Sequence, residues 1–352
     1  MNARRYRVRG PGQRGVALIT ALLVVALATV TAVAMTSAQQ LATRRTANLL
    51  HSDQAYVYAL GIEDWARGAL QRDLAADLER RQRVDAPREA WALGLPPTAV
   101  PGGTVRGHMA DLQGRYNLNN LIIGNGLVEV AYLRRLLTVL ELDPELADRI
   151  GDWLDPDVDA RFPGGAEDLK YLRADVPYRT ANGPMASVTE LRLVDGVTPE
   201  VYERLAPYVT ALPEPTTINI NTAPEQVLRA LDSVIAEHVD DVLRHREREP
   251  FEHIAAFLAV AGLDSGADGA MMGPGGRDAV PDGGDLQPAP QGESGAASRA
   301  DLFAPLIGVS SDYFVVHGDA RMERLQVRLE SVVSRTGEDA TPRIIARTRR
   351  VY

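Results

Sequence analysis

Between Arg14 and Arg44 the chain carries no ionisable side chain, and the run VALITALLVVALATVTAVAM from Val16 to Met35 is almost wholly apolar. At about 1.5 Å per residue, such a run makes a helix roughly 30 Å long, which matches the hydrocarbon thickness of a bilayer. It can cross a membrane once, so it decides in which compartment the rest of the chain folds. Arg4, Arg5, Arg7, Arg9 and Arg14 precede it with no acid among them, and the next basic residue is Arg44. Basic flanks stay cytoplasmic, so the expectation is a single-pass protein with its N-terminus inside and everything beyond the anchor exported. The rest is ordinary globular sequence, 45% hydrophobic and 24% charged. A net charge of -9 argues against a polyanion as main partner, because phosphate binding needs clustered Lys and Arg. The absence of cysteine excludes disulfides, thiolate metal sites and thiol nucleophiles.

Three kinds of N-terminus share this pattern: a cleaved secretory signal, an uncleaved signal anchor, and a leader cut before the apolar run. A secretory signal has a shorter apolar core and a small-x-small cut site, whereas this run continues into helical sequence without a break. The third kind needs Gly where the basic leader meets the apolar run, and Arg14-Gly15-Val16-Ala17-Leu18 supplies it. A cut between Gly15 and Val16 leaves the anchor on the mature chain. From Gln39 to Leu78 there is no Pro, and Leu49, Leu50, Tyr56, Val57, Leu60, Trp65 and Leu70 recur at helical spacing. Anchor and amphipathic stretch together predict one helix over residues 17–80; the alternative is a plain membrane tether followed by a separate helix.

The segment LGLPPTAVPGG, residues 93–103, is punctuated like a loop, and Thr104 to Tyr116 reads as a strand pair or bent strand. From Asn117 to about Val260 the pattern is helical, with apolar stripes in 127–140, 145–154, 189–194, 199–209 and 224–235. Residues 262–300 are rich in Gly, Asp, Ala and Pro and read as a mobile loop. Strand signals return in YFVVH (313–317), RLQVRLESVV (324–333) and RIIARTRRV (343–351). The predicted architecture is α+β: a long N-terminal helix on an antiparallel sheet, with a large all-α domain inserted between strands.

Asp152, Asp155, Asp157 and Asp159 crowd one loop, and Glu167 with Asp168 follows a Gly-Gly turn. Hard oxygens at alternating positions suit calcium, but Ala160 stands where an EF-hand has its turn glycine and Glu167 falls one place too late for its twelfth position. The other readings of these acids are helix-capping turns facing water and the carboxylate pair of a glycoside hydrolase. No nucleophile motif or phosphate loop accompanies them, and the six histidines at 51, 108, 238, 245, 253 and 317 lack metal-ligand spacing. The chain therefore reads as a non-enzyme. Asn219 to Leu263 resembles a helix-hairpin-helix (SAM-like) module, but the hairpin glycines are missing and four arginines face eight acids. That balance repels phosphate; a membrane-anchored DNA-binding protein of DNA uptake is the alternative function, and no nucleic acid is expected as partner.

The Gly-ended basic leader and continuous helix resemble the type IV pilin superfamily. Within it, Asp152-Trp153-Leu154-Asp155-Pro156-Asp157, Gly164 to Asp168, Pro177 to Asn182, Thr189 to Val194 and Ile218-Asn219-Ile220-Asn221-Thr222-Ala223 look like the K minor pseudopilin of type II secretion, GspK. These segments cover most of residues 15–260. The resemblance implies a prepilin leader at 1–15, cut after Gly15 by the prepilin peptidase with methylation of the Val16 amine. It divides the remainder into a transmembrane segment (16–38), a periplasmic helix with the first strands of a pilin domain (39–116), the inserted helical domain (117–261), the loop (262–300) and C-terminal pilin strands (301–352). It implies residence in a bacterial inner membrane with a periplasmic C-terminal part. Its partners would be the minor pseudopilins I and J and the major pseudopilin, and its role to start a short pseudopilus from the tip for export of folded proteins. It further implies calcium in the helical domain, carried here to Asp155, Asp157, Asp159, Glu167 and Asp168. Most pilins have Glu at the fifth mature position; here that position is Thr20, which fits a tip subunit with no neighbour above it to pair with such an acid.

Overall fold

The computed structural model describes residues 14–122, 126–263, 304–337 and 340–351. Helix α1 (Arg14–Arg80) runs unbroken through the apolar segment and the amphipathic stretch beyond it. From Val16 to Met35 its large apolar side chains are 61 to 72% exposed, so no other described part of the protein covers them. The hydroxyl of Thr20 donates to the carbonyls of Val16 (3.1 Å) and Ala17 (3.0 Å), and Thr29 and Thr31 donate likewise to Val25 and Leu27. Each polar group in this half is thereby satisfied on its own helix.

Past the anchor, Ala55, Ala59, Ile62, Ala66, Ala69 and Leu70 fall on one buried face at intervals of three and four residues. Strands β1 (Leu95–Val100) and β2 (Gly103–Asp111) follow. Then comes a helical block containing β3 (Tyr116–Asn117), α2 (Gly126–Val139), α3 (Leu146–Leu154), α4 (Asp168–Tyr171), α5 (Pro199–Leu205), β4 (Val209–Thr210), β5 (Ile218–Asn219), α6 (Glu225–Arg229), α7 (Ser233–Glu237), α8 (Val239–Arg248), α9 (Ile254–Val260) and β6 (Ile307–Gly308). The chain closes with β7 (Tyr313–Met322), β8 (Leu325–Ser334) and β9 (Arg343–Val351). One antiparallel sheet has the order β1-β2-β7-β8-β9. β2 and β7 pair in continuous register from Gly103↔Met322 to Asp111↔Phe314, so the helical block is the loop of a hairpin. The described arrangement is the expected α+β plan.

Side chains alternate across the sheet. Val105, Met109, Phe314, Val316, Ala320, Val327, Leu329 and Val333 face α1 and form one core with its buried stripe. The alanines let helix and sheet approach closely. Closest is Gly107, where a Cβ would collide with Ile62 Cγ2. Glu63 fixes the rotation of α1, accepting two bonds from Arg347 (2.7 and 2.6 Å) and one from Ser331. A second core belongs to the insert: Tyr132, Leu133, Leu136 and Leu137 of α2 pack with Ile150, Trp153 and Leu154 of α3, and Val227, Val242, Phe251 and Phe257 extend it. It also takes in Tyr116 and Ile307, residues that the sequence assigns to the pilin part.

Three local readings need correction. Leu95–Val100, expected as loop, is edge strand β1; its register shifts between Leu95 and Thr98, where Pro96 and Pro97 have no N–H to offer and are tolerated only at an edge. The strand expected at 104–116 ends at Asp111, and Tyr116 already pairs with Val209 inside the insert. The helical run 224–235 is broken after Arg229, because the Asp232 carboxylate caps a new helix by accepting the Val234 N–H (2.8 Å). The loop expected at 262–300 lies, from residue 264 on, outside the described residues.

A buried polar junction joins the two parts. Arg335, fully buried, pairs with Asp73 of α1 (3.1 Å) and with Asp85, and donates to the Ser311 carbonyl (3.0 Å). Asp85 accepts the Ser311 N–H (2.7 Å), and Asp111 accepts from Asn219, Thr222 and Ser311. Asn221 exchanges two bonds with the backbone of Phe251. Of the two asparagines of the Ile-Asn-Ile-Asn segment, Asn219 thus closes the insert onto the sheet and Asn221 ties the insert together internally, as buried amides must find both donors and acceptors.

Candidate functional site

The acidic loop leaves α3 at Asp155, whose extended backbone ends the helix, and re-enters regular structure at α4. Two anchors fold it back. Asp152, fully buried, accepts the Arg161 N–H (3.2 Å), and the Arg161 guanidinium donates twice to Asp155 Oδ2 (3.1 and 2.8 Å). The outcome is that one carboxylate oxygen each from Asp155, Asp157 and Glu167 lie within 4.8 Å of one another. Asp159 is exposed, outside this trio, and gives its N–H to Asp157 Oδ1 (2.9 Å). Asp168 is also outside it: Oδ1 accepts the N–H (3.1 Å) and hydroxyl (2.9 Å) of Thr180, and Oδ2 faces Arg179 (3.1 Å). It pins the segment that carries Thr180 and Asn182.

The trio is short of positive charge and of donors. Asp155 Oδ1, Glu167 Oε1 and Asn182 Oδ1 are buried with no hydrogen-bond partner. The Asn182 amide donates to the Asp157 carbonyl (3.3 Å), so the free oxygen of Asn182 belongs to the same loop cluster. A buried acceptor left without a donor costs about 1 to 3 kcal/mol, and such atoms call for an unseen partner. Burial, then the charges of Asp152 and Asp155, push the Glu167 carboxyl up to about 7. An all-oxygen donor set of carboxylates and a carboxamide fits a hard divalent cation. Asn182 is invisible to an acid-counting reading; only its place in the Pro177–Asn182 segment singled it out.

The leader junction, Gly15 and Val16, lies in the first turn of α1, with Val16 62% exposed. In the helix-hairpin-helix segment, Arg229 bonds to Glu225 and the Ala236 carbonyl, Arg244 to Asp241, and Arg246 to the carbonyls of Ile220 and Ala223. These cations serve the fold and present no basic face to a phosphate backbone.

A helix bare in its first half and packed on an antiparallel sheet in its second, with a folded domain grafted into a hairpin, defines a membrane-anchored, pilin-like subunit. The chain matches the family described as Type II secretion system (T2SS), protein K, in two blocks, residues 114–214 and 218–273. It is 42% identical over 249 residues to type II secretion system protein K of Pseudomonas aeruginosa, covering 68% of this chain and 74% of that one. With the Aeromonas hydrophila protein of the same name it shares 35% identity over 285 residues, covering 73% and 85%. Among solved structures, a chain of the GspK-GspI-GspJ complex of enterotoxigenic Escherichia coli has the same fold, with a TM-score of 0.67 at 24% identity over 87% of this chain and 99% of that one. The chain belongs to the type II secretion system protein K family. It is a minor pseudopilin of that system, and the DNA-uptake alternative is not favoured.

Proposed function

We propose that the prepilin peptidase cuts this chain after Gly15 and methylates the Val16 amine. The mature subunit then stands at the tip of a periplasmic pseudopilus and starts its assembly with the minor pseudopilins I and J, the major pseudopilin continuing the fibre below. The observation that carries the reading is the unbroken helix α1, which links a lipid-length apolar segment to the sheet into whose β2–β7 hairpin the insert is grafted. A domain of that bulk is hard to repeat along a tight fibre, which favours a terminal place. The arginine-rich leader favours a cytoplasmic N-terminus and a periplasmic C-terminal part. Nothing in this role asks the chain for catalysis; it is the substrate of the peptidase. The partnership with I and J is drawn from the E. coli complex, whose chain shares the fold.

Within this role calcium is held by Asp155, Asp157 and Glu167, assisted by Asn182, with Asp168 and Asp159 shaping the loop around them. Bound there, it supplies positive charge to oxygens that have no donor and ties α3 to the segment before α4. The test is the intact mass and N-terminal sequence of membrane-extracted protein from cells with and without prepilin peptidase. A chain beginning at methylated Val16 only when the peptidase is present is the expected result. An arginine leader kept in both strains would reduce the N-terminus to an ordinary signal anchor.

A further inference from the structure

Four acidic side chains that the secretion role leaves unused meet where the chain leaves α1. Asp73 and Asp77 stand one turn apart near the C-terminal end of that helix, and Asp85 and Glu89 follow on the segment that leads to β1. Asp73, Asp77 and Asp85 are buried and Glu89 is half-buried. One carboxylate oxygen each from Asp73, Asp85 and Glu89 lie within 4.8 Å of one another. Asp77 belongs with them, since its charge and that of Asp73 both act on Glu89. The Asp77 side chain is 4% exposed; Oδ1 faces Arg80 (3.5 Å), and Oδ2 is buried with no hydrogen-bond partner. A buried carboxylate oxygen without a donor calls for a partner from outside the chain.

We propose that Asp73, Asp77, Asp85 and Glu89 bind a calcium ion at the junction of α1 and the sheet, in a site separate from the acidic loop of the insert. Two oxygens held about 2.4 Å from one ion are at most about 4.8 Å apart, so the trio already has the spacing of a shared ligand set. Carboxylates alone select a hard cation. Existing bonds use only part of the set. Asp73 gives Oδ2 to Arg335 (3.1 Å), and Glu89 gives Oε2 to the Ala86 N–H (3.0 Å) and to Trp91 Nε1 (2.8 Å), which leaves a second oxygen on each. Asp85 accepts from Arg335 and from the Ser311 N–H (2.7 Å) and has lone pairs beyond these. Charge points the same way. One fully buried guanidinium, Arg335, stands against four carboxyls, while Arg80 is 61% exposed and Arg83 is engaged with Asp312 (2.6 Å). Burial, then Asp73, pushes the Asp77 carboxyl above its ordinary range, and burial does the same to Glu89. Because Arg335 already holds Asp73 and Asp85, the ion binds here more weakly than in the insert. Half-buried Glu89 is its way in from solvent. Sequence spacing concealed the group, since acids four apart on a helix read as its wet face.

The experiment uses the full chain in detergent with the insert site removed by Asp157→Asn and Glu167→Gln, so that failure of one site is not mistaken for failure of the other. The probe is terbium, a calcium stand-in whose emission is sensitised by a nearby indole; Trp91, hydrogen-bonded to Glu89, is that indole. One saturable equivalent with tryptophan-excited emission is expected, displaced by excess calcium. Asp77→Asn and Glu89→Gln, which remove charge at constant volume, should each weaken it by roughly 10-fold. Trp91→Phe should remove most of the emission and leave calcium binding, followed by calorimetry, in place, a readout that leaves all four acids intact. Absence of saturable binding, unchanged affinity in the Asp77→Asn/Glu89→Gln double variant, or emission undiminished in Trp91→Phe would each overturn the site.

Discussion

Single side chains decide two properties of this protein. The Arg335 side chain has no exposed surface and pairs with Asp73 and Asp85, also buried, offsetting one of their two charges. Removing one partner of such a set leaves charge stranded in the interior, so Arg335→Ala should lose about 3 to 5 kcal/mol in denaturant unfolding of the sheet part; a loss below 1 kcal/mol, the usual worth of a surface pair, would show that water reaches the junction. Glu167 is one of two carboxyls, with Asp85, that burial pushes up to about 7 and that therefore make stability depend on pH. Pushed up to about 7 in the fold, Glu167 lies above the ordinary carboxyl value of 4.5, so the folded state holds the proton more tightly. Without calcium, stability is therefore full at low pH and declines as pH rises across that interval. Calcium needs the ionised carboxylate, so its affinity should rise over the same interval. Glu167→Gln should make the metal-free pH profile less steep, leaving the share that Asp85 contributes, and weaken calcium binding, both measurable by thermal unfolding in chelator and in calcium.

At the scale of elements, α1 does two jobs in one helix, and its boundary was legible because charge returns at Arg44 and apolar spacing reappears downstream. Strands β7, β8 and β9 were equally legible: in β8 one face is core and the other wetter, which writes alternation into the sequence, whereas β7 opens with the continuous buried apolar run Tyr313 to Val316. β1 was not, because its prolines signal a loop and only pairing with β2 makes it a strand. The acidic loop was legible as a cluster, but the roles within it were not: Asp168 and Asp159 differ from Asp155 only in what the folded chain brings to them. Thr20 makes a prediction at this scale. Its hydroxyl is satisfied within α1, so nothing in the helix requires a partner at that level. Thr20→Glu should leave pseudopilus assembly and cargo release into the medium at wild-type levels if the subunit is terminal; loss of secretion would place a neighbour against that position.

Among the described residues two large cores are joined through Asp85, Asp111, Asn219 and Arg335 and through a small apolar cluster of Leu112, Leu212, Tyr313 and Val315, so a ligand in one part is felt as stability of that part first. Calcium at a hundredfold excess over its Kd adds about 2.7 kcal/mol to the state that binds it. Chelation should accordingly lower the melting transition of the insert by several degrees, with the sheet part shifted less, as followed by calorimetry. The hairpin built from β2 and β7 has a further consequence, one of timing during folding. β2 is made long before β7, and closing so long a loop from an unfolded chain carries an entropic cost that a folded insert removes. Until then the apolar stripe at Ile62, Ala66 and Leu70 has most of its sheet missing. A chain ended after Ser310 should therefore keep a protease-resistant insert while α1 and β2 are digested. Completion of the sheet thus acts as a check on the insert: the sheet surface proposed to join a fibre is finished last, and most readily in molecules whose side domain has already folded.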